Sequence, residues 1–126
     1  MKLAHLFAAA LFVCAAGTAH ALELKPYSAA ALADAQKADK PVALHFRADW
    51  CPTCRAQDKV LETLKAEPGL DVTVLEVNYD TEKELKQQYK VRTQSTLVLL
   101  HGQTERGRSI GDTSATGLRA ALKSAL

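Results

Sequence analysis

Three short apolar runs constrain this chain more than any other feature: "VALHF" at residues 42–46, "DVTVLEVNY" at 71–79 and "STLVLL" at 95–100. Each has the length of a buried strand, and the middle one is rich in β-branched residues. Helical stretches separate them. One runs from about Cys51 to about Ala66, with Val60, Leu61 and Leu64 inward, and Pro68-Gly69 ends it. The other is "KELKQQYK", opened by Thr81-x-x-Glu84 as a capping box, with Leu85 and Tyr89 four apart. Strand–helix–strand alternation demands crossovers and hence parallel strands.

Before the first run, "LELKPY" reads as a short edge strand limited by Pro26, and Ser28 caps a helix to about Ala38. After the third, Gly102 and Gly107 bracket a turn into "RSIG", which predicts an antiparallel hairpin. A last helix runs from about Thr113 to Ala125 with Leu118 and Leu122 inward, weakened slightly by Gly117. The expected product is α/β: a central mixed sheet with helices on both faces.

The N-terminus does not share this pattern. Met1-Lys2 is a short positive start, Leu3 to Ala16 is almost continuously apolar, and Ala19-His20-Ala21 places small residues where cleavage needs them. This reads as a secretory signal peptide, residues 1–21, cut after Ala21, with the apolar run too short for the ~20 residues of a spanning helix. Cys14 leaves with it, since bulky Val13 stands where a lipidation signal wants a small residue. The domain is then Leu22–Leu126. Lys and Arg total 16 against 14 Asp and Glu, and Lys2 goes with the leader. So balanced a surface gives no electrostatic reason to expect nucleic acid or anionic membrane as a partner.

Two cysteines remain, Cys51 and Cys54, in "HFRADWCPTCRAQ". In an exported protein two thiols so close tend to pair. A bridge over so short a loop is a poor staple, because stabilisation grows with loop length. A closed metal site needs four ligands, and only His45 and His101 add to the sulfurs, His101 from another strand. Two chains joining their pairs around one metal remain an alternative. At a strand-to-helix junction the pair gains chemistry. Positions three apart in a first helical turn lie roughly 5–6 Å apart at Cα, within disulfide range. Unpaired N–H groups and the helix dipole favour a thiolate at Cys51, and Pro52 suits the first helical position.

"ADWCPTC" after "VALHF", then "VNYD", "YKVRTQSTLVLLHGQ" and a final amphipathic helix resembles the thioredoxin family. It resembles the exported single-domain thioredoxin-like proteins of bacteria, over nearly all of Leu22–Leu126. The resemblance implies a thioredoxin-like three-layer sandwich and a thiol–disulfide oxidoreductase. It makes Cys51 the attacking thiolate, Cys54 the resolving thiol and the two a redox disulfide. It also implies a substrate-docking surface of Trp50, Pro52 and Thr53, faced by a loop of Gln94, Ser95 and Thr96. It implies no cofactor and no metal. The partners it implies are protein thiols and disulfides, and a membrane-bound redox partner that recharges the pair. A monomer is expected, without nucleic acid and without stable membrane insertion once the leader is removed.

Three departures stand out. The family's buried Asp six residues before the first cysteine is His45 here, and its Lys on the neighbouring strand is Glu76. Strand parity puts both on one face. On one reading His45, oriented by Glu76, accepts the Cys54 proton, as an imidazole near its usual pKa of about 6.5 can. On the other the two are a core hydrogen bond. The third departure is Ser95, standing where the family has a cis-proline facing the sulfurs. It puts Gln94 in an altered docking setting, removes a ring that shields the thiolates from foreign atoms, and narrows partner choice.

Thr53 adds no positive charge between the cysteines, which leaves Arg47 and Arg55 as the nearby cations. The expectation is a reductase or isomerase-type protein in the periplasm; the non-enzymatic alternative is a thiol carrier or adaptor serving one partner.

Overall fold

In the computed structural model residues 20–126 are described, so the leader expected at residues 1–21 lies almost wholly outside the described residues. The strands are β1 (Glu23–Pro26), β2 (Pro41–Arg47), β3 (Thr73–Asn78), β4 (Thr96–His101) and β5 (Thr104–Ile110). They form one sheet in the order β1-β3-β2-β4-β5. β3 pairs in parallel with both β1 and β2, and β4 runs antiparallel to β2 and β5. The helices are α1 (Ala29–Lys37), α2 (Pro52–Leu64), α3 (Lys83–Gln88) and α4 (Ala115–Ser124). Their order is the one the periodicity predicts.

Alternation along the strands builds the three layers. In β2, Val42, Leu44 and Phe46 turn to one face, where Leu32 of α1 and Leu85 of α3 cover them with Leu75, Val77, Val98 and Leu100. Ala43 turns to the other face, where Val74, Leu97 and Leu99 meet Leu61 and Leu64 of α2 and Leu118 and Leu122 of α4. Burial of each such side chain is worth about 1.5–3 kcal/mol. His45 belongs to this second face and is fully buried. The α2–α4 layer therefore carries the polar chemistry.

Ser28 caps α1 as expected, its Oγ accepting from the Ala31 N–H at 3.0 Å. Two other expectations fail. Thr81 and Glu84 form no capping box: α3 begins at Lys83, with Glu82 at the cap position and no side-chain cap bond. Asn78 takes over the turn instead, its Oδ1 accepting from the Asp80 and Thr81 N–H groups at 2.9 and 3.3 Å. That local bond displaces the helix start. Gly107 is not a turn residue either; it lies inside β5 beside a register shift at Leu99/Leu100. The hairpin turns at Gly102 alone, where φ is +56° and a Cβ would meet Asp39 Oδ1 at 2.3 Å. Glycine suits both the positive φ and the close approach.

Candidate active site

β2 ends at Arg47 and delivers the chain to the head of α2, where Cys51 is the N-cap and Pro52 follows at the first helical position. The Cys54 N–H donates to Cys51 Sγ at 3.1 Å, so the cysteine fills the role a capping oxygen usually plays. Cys51 and Cys54 are joined as a disulfide with Cα atoms 5.3 Å apart. Cys51 is 2% exposed and Cys54 0%. What access exists is at Cys51, which sets the order of attack.

Ser95 closes over the pair. Its Oγ lies 3.2 Å from Cys51 Sγ and 3.1 Å from Cys54 Sγ. The peptides of the described residues are all trans, and Ser95 sits in the left-handed region at φ +62°. A cis bond before a non-proline residue costs ~3 kcal/mol; a left-handed turn is the cheaper way for serine to reach the sulfurs. The backbone there is pinned: the Ser95 N–H donates to Phe46 O at 2.9 Å, and Ser95 O accepts from the Gly111 N–H at 3.0 Å.

The third restraint on Ser95 comes from a residue that sequence reasoning missed. Gln57 of α2 is fully buried, and its Nε2 donates to Ser95 O at 3.1 Å and to Asp112 O at 2.9 Å. Its Oε1 faces His45 Nε2 at 2.9 Å. The signal was present: Cys54, Gln57, Leu61 and Leu64 make one buried stripe of α2, and glutamine is the polar exception in it. Asp112 is held in turn by α4. Its Oδ1 accepts from Ser114, and a Cβ on Gly117 would fall 1.8 Å from its carboxylate. The glycine expected merely to weaken α4 makes room for this loop.

This arrangement assigns the His45 tautomer. Both carbonyls facing the Gln57 nitrogen are acceptors only, so Oε1 must face the ring and His45 Nε2 must donate. The lone pair is then on Nδ1, which is buried without a hydrogen-bond partner among the described residues, 3.8 Å from Asp58 Oδ1. Asp58 is engaged by Arg47, whose Nε and Nη2 reach it at 3.1 and 2.8 Å. Burial holds the His45 pKa below its ordinary 6.5; Gln57 and Asp58 pull it up, and Arg47 adds to the lowering.

The expected His45–Glu76 hydrogen bond is thus replaced by His45–Gln57. Glu76 does stand opposite His45 in register. Its half-buried side chain instead lines a surface cleft of about 300 Å³ with Arg47, Asp49, Trp50 and Asp80. Desolvation there raises the Glu76 pKa, Asp58 adds to it and Arg47 opposes it. Gln57 approaches from the helix layer above His45, whereas Glu76 lies beside it in the sheet.

A buried neutral imidazole carries a pH signature. The unfolded chain binds a proton at about pH 6.5 and the folded one only at lower pH, so stability is full above 6.5 and falls as pH drops below it. The expected slope is up to about 1.4 kcal/mol per pH unit. Urea unfolding across that range tests this, with His45→Gln as the control that keeps an N–H for Gln57 and loses the slope.

The remaining residues divide. Trp50 is 58% exposed, its Nε1 donating to Asp80 Oδ2 at 2.8 Å, and Pro52 and Thr53 are exposed beside it. Gln94 is half-buried, with Thr93 Oγ1 donating to its Oε1 at 3.4 Å. Thr96 is buried, its hydroxyl donating to Thr93 O at 2.9 Å, so it staples the loop and offers no side-chain surface for docking. Ile110, 62% exposed and paired with Thr96, is a surface residue the sequence did not single out. Of the two arginines, Arg47 is held by Asp58 and Asp49, and Arg55 donates to Asp49 O at 2.8 Å. His101 lies at the far end of β4 from Ser95, its Nδ1 2.8 Å from Ala125 O, too remote to join the cysteines around a metal.

Known proteins carry the same frame. Trxlp from Edwardsiella tarda superposes with a TM-score of 0.74 at 41% identity, covering 79% of this chain and 98% of that one. The thioredoxin of Rickettsia bellii is 29% identical over 75 residues, 60% of this chain and 71% of that protein. The bifunctional thioredoxin reductase/thioredoxin of Mycobacterium leprae is 32% identical over 79 residues, 63% of this chain; the match spans 17% of that longer protein. Residues 27–124 match the thioredoxin family. That span begins just after β1 and ends with the last residue of α4, and the chain belongs to the thioredoxin family of thiol–disulfide oxidoreductases.

Proposed function

We propose that this protein is an exported reductase or isomerase acting on the thiols and disulfides of other proteins in the periplasm. The observation that carries the reading is the setting of Cys51: the N-cap of α2, with the Cys54 N–H on its sulfur at 3.1 Å and with the pair's only residual exposure. That setting favours a thiolate at Cys51. Arg47 is committed to Asp58 and Asp49, and no positive side chain stands between the cysteines, so the reduced form is stabilised moderately, and a moderately reducing couple follows.

Export is read from residues 1–21, and Leu22, 3% exposed in the core, fits a folded body that begins directly after the cleavage point. Exposed Trp50, and Ile110 next to the Ser95 loop, give a polypeptide substrate apolar surface to dock on. A membrane-bound partner recharges the pair. Near closure of Cys51 favours a second reading, a thiol carrier serving one partner whose docking opens access.

Equilibration of the Cys51–Cys54 couple against glutathione and dithiothreitol buffers tests the direction. The expected reduction potential lies between about −180 and −270 mV. A value near −120 mV marks an oxidant, and one below about −300 mV marks a structural disulfide; either overturns the proposal.

A further inference from the structure

We propose that Ser95 is a catalytic residue of this site, its hydroxyl donating to whichever active-site sulfur carries negative charge. The inference rests on the exchange chemistry proposed above and adds a group to it. Three observations carry it. Ser95 Oγ lies within hydrogen-bonding distance of both sulfurs, 3.2 Å from Cys51 Sγ and 3.1 Å from Cys54 Sγ. Its backbone occupies the left-handed region at φ +62°, a conformation serine adopts at a cost. That conformation is held by the bonds to Phe46 O, from Gly111 N–H and from Gln57 Nε2. An anchored backbone leaves the hydroxyl two freedoms, rotation about Cα–Cβ and about Cβ–Oγ.

A hydroxyl has one proton to give and two lone pairs. In the reduced protein its O–H donates to the Cys51 thiolate, and a lone pair accepts from the Cys54 S–H. Attack on a protein disulfide R–S–S–R′ forms the Cys51–S–S–R bond and expels R′S⁻. Cys51 is then neutral, and the hydroxyl turns to Cys54 as that thiol becomes charged, its proton passing to the departing R′S⁻. Cys54 attacks Cys51 Sγ, the Cys51–Cys54 disulfide forms, and RS⁻ leaves and is protonated. Two electrons pass from the pair to the substrate. Ser95 transfers no proton; it stabilises charge at each stage. A hydrogen bond to a charged acceptor is about twice as strong as a neutral one, so the donor acts chiefly on the ionised sulfurs.

The test is the thiolate titration of the reduced protein, followed by absorbance near 240 nm and by the pH dependence of iodoacetamide alkylation. Ser95→Ala is expected to raise the Cys51 pKa by about one unit, a tenfold loss of thiolate on the acid side. It is also expected to slow release of R from the mixed disulfide by about tenfold. Ser95→Gly separates hydroxyl from backbone: it relieves the left-handed strain and should show the same pKa rise with unchanged or higher stability. An unchanged Cys51 pKa in both variants overturns the role of Ser95. The titration needs no substrate, so wild-type protein that fails to reduce any protein disulfide counts against the oxidoreductase reading and not against this one.

Discussion

Cys51→Ala lowers the rate of protein-disulfide reduction by on the order of 10³-fold or more, as loss of a sole nucleophile does. Cys54→Ser leaves the first attack intact and blocks turnover. The asymmetry comes from the site. Cys54 is 0% exposed and lies a turn inside α2, so it cannot meet a substrate sulfur first. Cys51 receives the Cys54 N–H and the open end of the helix dipole, so its thiolate is the stabilised one. The folded body survives either change, because a bridge between positions three apart constrains little of the unfolded chain. Insulin reduction reads the rate, and urea unfolding confirms that the fold is retained.

Gln57→Leu destabilises the protein by about 3–5 kcal/mol, although the leucine matches the stripe it enters. Gln57 satisfies three groups at once: the buried His45 Nε2–H and Ser95 carbonyl, and the part-buried carbonyl of Asp112. Ser95 O keeps its Gly111 partner, while the other two lose the one that Gln57 supplied. An unsatisfied buried polar group costs about 1–3 kcal/mol, and His45 already has one orphan nitrogen. For a domain this size the melting temperature falls by roughly 15 °C. Ser95 also loses a restraint, so exchange slows even where the variant is folded. Denaturation midpoints give the first effect, and the rate per folded molecule gives the second.

Element order and layers were legible because they depend on periodicity. The short apolar run "VALHF" and the inward stripe of Leu61 and Leu64 call for a buried sheet covered by helices. The CxxC pair was legible for the same reason, since its spacing alone brings the sulfurs together. What failed depended on side-chain direction and local competition. Register puts Glu76 beside His45, but parity cannot say which residue of the overlying helix points down, and Gln57 does. Asn78 outcompeted Thr81 for the turn because its side-chain oxygen accepts from the Asp80 and Thr81 N–H groups. Ser95 could be seen to replace a proline; its left-handed backbone could not, since serine carries no sequence mark for positive φ.

The most direct test of the whole account is the covalent state of Cys54→Ser after reaction with a protein disulfide. Non-reducing electrophoresis and peptide mass mapping should find one substrate chain linked to Cys51 per molecule, released by dithiothreitol. A periplasmic extract should yield many linked proteins; a single linked protein identifies the dedicated carrier. If Cys54→Ser forms no mixed disulfide at Cys51 with any protein disulfide, the pair is not the exchange centre that its geometry describes.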